Sequence, residues 1–172
     1  MLLESLDVAE AAELQRTLAS RYLENPTNFS CEALERLGWV AVPAENNIRE
    51  EHAAAIAAAA EECGVRRGVA VTTEPEILLE AVEVTLTERG ILEFDAHCML
   101  RVFLLVAHGE KFAILDEGDY YYVIAGPQLF VERVVGDIRE AQEAFLRYAS
   151  RPQWPQKTRE FLLQILSRYT RS

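Results

Sequence analysis

The sequence predicts an α+β domain with a mixed sheet, and three observations carry that expectation. Apolar residues recur at helical spacing near both ends of the chain. Short β-branched runs bounded by turn residues fill the middle. A strand–helix–strand pattern lies in the N-terminal half. The 172 residues, half of them hydrophobic, fit one domain with a sizeable core. Residues 1–150 read as that domain. Residues 151–172 read as a linker and a basic amphipathic helix, packed on the same domain or on a partner.

A first helix runs from about Asp7 to Glu24, because Asp7 and Glu10 have capping-box spacing and Ala11, Leu14, Leu18 and Tyr22 share one face. Ser30 caps a second helix, and Gly38 ends it. Trp39–Pro43 is a short strand. Asn47, with Glu50 in box position, caps a third helix that runs through the alanines 53–60 to Gly64. Gly68–Thr73 is the next strand, so residues 39–73 read as a βαβ-like unit with parallel strands. Thr73 and Glu76 start a helix over 74–81, followed by a strand. From Ile91, and most clearly over 99–125, the chain reads as an antiparallel meander turning at His108-Gly109 and Glu117-Gly118. Pro127–Gly136 and Asp137–Ser150 are helices. Arg151-Pro152-Gln153-Trp154-Pro155 is a linker, and Gln156–Thr170 is a last helix with a Phe161, Leu162, Ile165, Leu166, Tyr169 stripe.

Crossover units of this kind often hold a nucleotide. Here the connection Pro43-Ala44-Glu45-Asn46-Asn47 lacks glycine and places a carboxylate where a phosphate would sit. The dinucleotide fingerprint and the P-loop are both missing. GxSxG, HExxH and kinase signatures are missing too. No apolar run reaches the roughly 20 residues needed to span a bilayer. The N-terminus lacks a basic leader, so the expected location is cytoplasmic.

Asp116-Glu117-Gly118-Asp119 reads as a charged turn, since four residues do not supply a calcium loop's ligand spacing. With turns at His108-Gly109 and Glu117-Gly118, Leu105 pairs with Phe112, Phe103 with Ile114 and Arg101 with Asp116. Asp116 then pairs with Asp119, and Arg101 is their counter-ion. The same register puts Tyr120 and Tyr122 on one face with Val102, Leu104, Ala113 and Leu115. Cys31, Cys63 and Cys98 form no CxxC pair and read as buried apolar residues. In an extended segment Asp95 and His97 share a face and Cys98 opposes them, so a base for Cys98 would have to be His52 or His108.

The net charge of −11 is uneven: residues 151–172 carry five bases against Glu160 alone. The acidic body disfavours nucleic acid and anionic membrane, and the basic helix suits an acidic surface. The leading expectation is therefore a non-catalytic accessory or regulatory protein that acts through a protein partner or self-association, as in a homodimer. The first alternative is a small-ligand-binding regulatory domain, and the second an enzyme built on Cys98 and a histidine. Tyr120, Tyr122, Trp154 and Arg168 are the candidate binding residues. No metal or other cofactor is expected.

Overall fold

Residues 2–170 are described in the computed structural model. In chain order the elements are β1 (Leu3–Ser5), α1 (Val8–Tyr22), β2 (Leu23–Asn25), β3 (Asn28–Phe29), α2 (Cys31–Leu37), β4 (Val40–Glu45), α3 (Glu50–Glu62) and β5 (Arg67–Thr72). They continue with β6 (Ala81–Thr85), α4 (Glu88–His97), β7 (Phe103–Ala107), β8 (Ala113–Asp116), β9 (Tyr121–Gly126), α5 (Gln128–Val135), α6 (Ile138–Ala149) and α7 (Gln156–Thr170). Seven strands form one sheet in the order β1-β6-β5-β7-β8-β9-β4, and β2 and β3 form a separate hairpin. The fold is α+β, with the expected meander and helical C-terminus.

The expected parallel pair is replaced by a wider arrangement. Every pairing among the described residues is antiparallel. Four successive reversals still leave β4 and β5 running in the same direction with α3 between them, but β7, β8 and β9 fill the gap. Local periodicity identified the crossover. It could not show that the later meander inserts into it.

Helices cover both faces of the sheet. Ile56, Ala59 and Ala60 of α3, Ile91 and Phe94 of α4, and Phe130, Val131 and Val134 of α5 pack against Phe103, Leu105, Phe112, Ile114, Tyr122 and Ile124. On the other face Ala11 and Tyr22 of α1, Leu34 of α2, Phe145 and Tyr148 of α6, and Leu162, Ile165 and Tyr169 of α7 pack against Leu104, Val106, Leu115, Tyr121 and Val123. Double coverage explains the unbroken apolar runs in β7–β9. The basic C-terminal helix therefore docks on its own chain.

Local signals place most helix ends. Asp7, Ser30 and Asp137 accept hydrogen bonds from the amides of Glu10, Ala33 and Glu140, and Gly38 is left-handed after α2. Asn47 is not a cap. It has φ of 66°, and α3 begins at Glu50, behind Arg49. Residues 74–80 form turns and not the expected helix. Thr87 instead caps α4, so Asp95 and His97 lie on a helix and not on a strand. There Ile91, Phe94 and Cys98 share the buried side.

The meander register also differs. Phe103 faces Asp116, two residues from the expected pairing, and Asp116 faces Tyr122. The first offset is even, so β7 and β8 keep their expected faces. The second is odd, so β9 turns over: Tyr122 joins the Phe103 face and Tyr121 the Leu104 face. Arg101 falls outside the strand and binds Glu80 at 3.2 Å and the His97 carbonyl at 3.1 Å, leaving Asp116 without a cation.

β4 ends the sheet beside α6. The Asn46 amide donates to the Tyr120 carbonyl, in register with the β4–β9 ladder. Alternation then turns the backbone polar groups of Val40, Val42 and Ala44 towards β9 and those of Ala41, Pro43 and Glu45 outward. Pro43 thus sits where its missing N–H costs no ladder bond and blunts the free edge.

Candidate functional site

A pocket of about 540 Å³ opens along this edge, between β4, the first turn of α3 and α6. Val42, Pro43, Ala141, Ala144, Phe145 and Tyr148 supply its apolar wall. Arg49, Arg147 and Arg151 approach it from three elements, against Glu45, Glu51 and Glu140. Glu45 pairs with Arg49 and, at 2.9 Å, with Arg151. Arg151 also lies over the Tyr148 ring, 4.9 Å from its centre. Arg147 makes no ion pair among the described residues.

His52 and Tyr122 form the floor. Tyr122 is buried, and its hydroxyl meets Nδ1 of His52. Burial pushes the Tyr122 hydroxyl well up, with Asp95 and Asp116 adding to the effect, so it keeps its proton. Burial, helped by Arg49, pushes the His52 imidazole down, so it is neutral near pH 7. With Nδ1 engaged by the Tyr122 hydroxyl, Nε2 is the ring nitrogen left for a ligand, as donor or acceptor according to tautomer. The floor therefore offers one polar ring atom, with arginines around the rim. The volume falls within the roughly 300–1,000 Å³ of organic-ligand sites.

Behind Tyr122 lie two carboxyls. Asp116 is 1% exposed; its Oδ1 accepts from the Gly118 amide at 2.9 Å, and its Oδ2 has no hydrogen-bond partner. Asp95, in the last turn of α4, accepts from the Ile48 amide at 3.0 Å. Burial pushes both carboxyls up, and their proximity pushes Asp116 up further.

The four candidate binding residues separate. Tyr122 supplies the floor. Tyr120 and Trp154 meet edge to face with ring centres 5.8 Å apart, and Trp154 donates to the Tyr148 carbonyl at 2.9 Å. That cluster lies on the opposite side of the sheet and props Tyr148 and the pocket rim. Arg168 is remote. It binds Glu24 and the Phe29 carbonyl and lines a separate cavity of about 440 Å³ with Leu34, Trp39 and Tyr169. Arg49, His52, Arg147 and Arg151 were missed as a group, because no sequence spacing links α3 to α6. The one available signal was a tyrosine inside an unbroken apolar strand, whose hydroxyl needs a partner.

Cys98 is buried, and burial pushes its thiol well up. Its two expected bases are engaged elsewhere or exposed: His52 meets Tyr122, and His108 lies in an open turn, while the neighbouring His97 is held by Glu80 at 2.8 Å. Cys31 and Cys63 are exposed, against expectation, because each sits at a helix end. In the acidic turn, Glu117 accepts from the amides of Asp119 and Tyr120 at 3.2 and 2.7 Å. With the Asp116–Gly118 bond, these carboxylates hold their own turn. Among the described residues no helix is long and apolar enough to cross a membrane.

No protein-family model, curated protein or solved structure matches the chain at a significant level.

Proposed function

We propose that this protein is a small-ligand-binding regulatory domain, with its ligand seated between α3, β4 and α6. The observation that carries the reading is the convergence of His52 and the unpaired Arg147 on one pocket with an apolar wall, beside Arg49 and Arg151 held by Glu45. This chemistry suits a compact organic molecule with an apolar body, one anionic group for Arg147 and a polar group for His52 Nε2. Catalysis is not part of the reading: the hydroxyl that His52 meets belongs to Tyr122, whose burial holds its proton. A thermal-shift screen of small carboxylates and phosphorylated compounds tests it. Hits should stabilise the wild type and lose their effect in the pocket-filling variant Ala144→Trp.

A second reading, contact with a protein partner or another copy, is favoured by one surface. Ile77, Met99 and Leu100 are 73%, 67% and 78% exposed, on segments that Glu80 joins through His97 and Arg101. Leu100 has φ of 62°, so Leu100→Asn suits its backbone while removing apolar surface. Light scattering should show association of the wild type that Met99→Ser/Leu100→Asn abolishes. A wild type that stays monomeric at every concentration removes self-association.

A further inference from the structure

Asp116, buried, and Asp95, half-buried, are neighbouring carboxyls that the pocket itself does not use, yet both connect to it. Asp116 stands opposite Tyr122 in the β8–β9 ladder, and Tyr122 holds His52. Asp95 holds the Ile48 amide, and the following residues carry Arg49 and His52 into the pocket. We propose that the two carboxyls form a proton-operated latch on the pocket: while they hold a proton between them they clamp the β4–α3 connection, and its loss to solvent base frees Ile48 and withdraws Arg49 and His52.

The geometry determines which partner moves. Asp116 ends a strand paired on both sides, is shut off from water and is tied to Gly118. Asp95 is only half-buried, and it lies in the last turn of α4, where the helix dipole disfavours an anion. Repulsion between two ionised carboxylates is therefore relieved by Asp95 turning outward, which breaks its bond to Ile48. The proton belongs on Asp116 Oδ2, a fully buried carboxyl oxygen with no hydrogen-bond partner.

Other charged groups around the pair do not share this role. Arg101 and Glu80 neutralise each other, and Cys98 and Tyr122 keep their protons through burial. Burial pushes the His52 imidazole down, so its own titration falls towards the acid end of the range, and Arg49 is paired with Glu45. Glu117 lies beside Asp116 and is pushed up by burial, but it is held by the turn amides. Glu117→Gln is therefore the control.

The functional meaning of the latch rests on the pocket reading, whereas its mechanics do not. Hydrogen exchange of the Ile48 amide, measured without ligand and corrected for intrinsic rates, reads it directly. From about pH 5 to pH 9, protection in the wild type and in Glu117→Gln should fall about tenfold or more, while Asp116→Asn stays flat. The carboxyl 13C shifts of Asp95 and Asp116 should move together in the same range, a readout that does not require the variant to fold. Flat wild-type protection, an unchanged inflection in Asp116→Asn, or two carboxyls titrating independently in the ordinary carboxylate range would overturn the latch. A failed ligand screen beside a pH-dependent Ile48 amide would reject the pocket reading and leave the latch standing.

Discussion

Replacing Asp116 by Asn should change the pH dependence of stability in a defined direction. The native carboxyl is 1% exposed, accepts one hydrogen bond from a backbone amide and has no cation beside it, because Arg101 is taken by Glu80. Its folded pKa therefore lies above its unfolded one. At pH values between the two, the native state holds a proton that the unfolded chain has released. Unfolding then releases protons, and stability falls as pH rises, by up to about 1.4 kcal/mol per pH unit. The contribution is complete below the unfolded pKa, near 4, and is lost progressively up to the folded value. Asn keeps the shape and cannot ionise, and it frees Asp95 from its like-charged neighbour. Urea unfolding of both proteins from about pH 5 to pH 8 should show the wild type losing stability relative to Asp116→Asn as pH rises. Parallel curves would refute the argument, because a carboxyl ionised in both states cannot produce this slope.

Further outcomes follow from packing. Under native conditions a thiol reagent should label Cys31 and Cys63 quickly and Cys98 only on the timescale of unfolding; three equally fast thiols would contradict the burial of Cys98. Gly118→Ala should cost about 2 kcal/mol or more, since Gly118 has φ of 83° and an added Cβ would lie 2.3 Å from the Arg101 carbonyl oxygen. An unchanged melting temperature would show that the turn relaxes freely. Truncation after Ser150 should unfold the chain, as circular dichroism would show. Leu162, Ile165 and Tyr169 are each at most 4% exposed, and at about 1.5–3 kcal/mol per large apolar side chain their loss rivals the whole stability of a domain. A folded truncated body would instead make α7 an appendage.

The helices were largely legible because their signals are local. Asp7, Ser30, Gly38, Asp137 and Gly136 mark ends by the hydrogen bonds and dihedrals that one or two residues supply. The strand pairings were only partly legible. His108-Gly109 and Glu117-Gly118 do turn the chain, but both loops are longer than two residues, and a turn's position does not set the register when both faces are apolar. A three-residue error in the second hairpin moved Tyr122 through the sheet and with it half of the candidate site. The sequence offers His52 as a base for Cys98 or as part of a solvated helix face, because its partner Tyr122 lies 70 residues away on β9. Arg168 attracted attention through charge asymmetry, which reports the surface of a helix and not where that helix docks.

If the pocket between α3, β4 and α6 is a ligand site, a bound compound must touch the groups that line it. Chemical-shift mapping tests it most directly, with the His52 ring and the guanidinium groups of Arg49, Arg147 and Arg151 observed while a compound identified by thermal shift is added. Saturable shifts at these groups are expected, including the His52 ring nitrogens, with their loss in Ala144→Trp while the rest of the spectrum is unchanged. Shifts that centre elsewhere, or that survive the filled pocket, would contradict it.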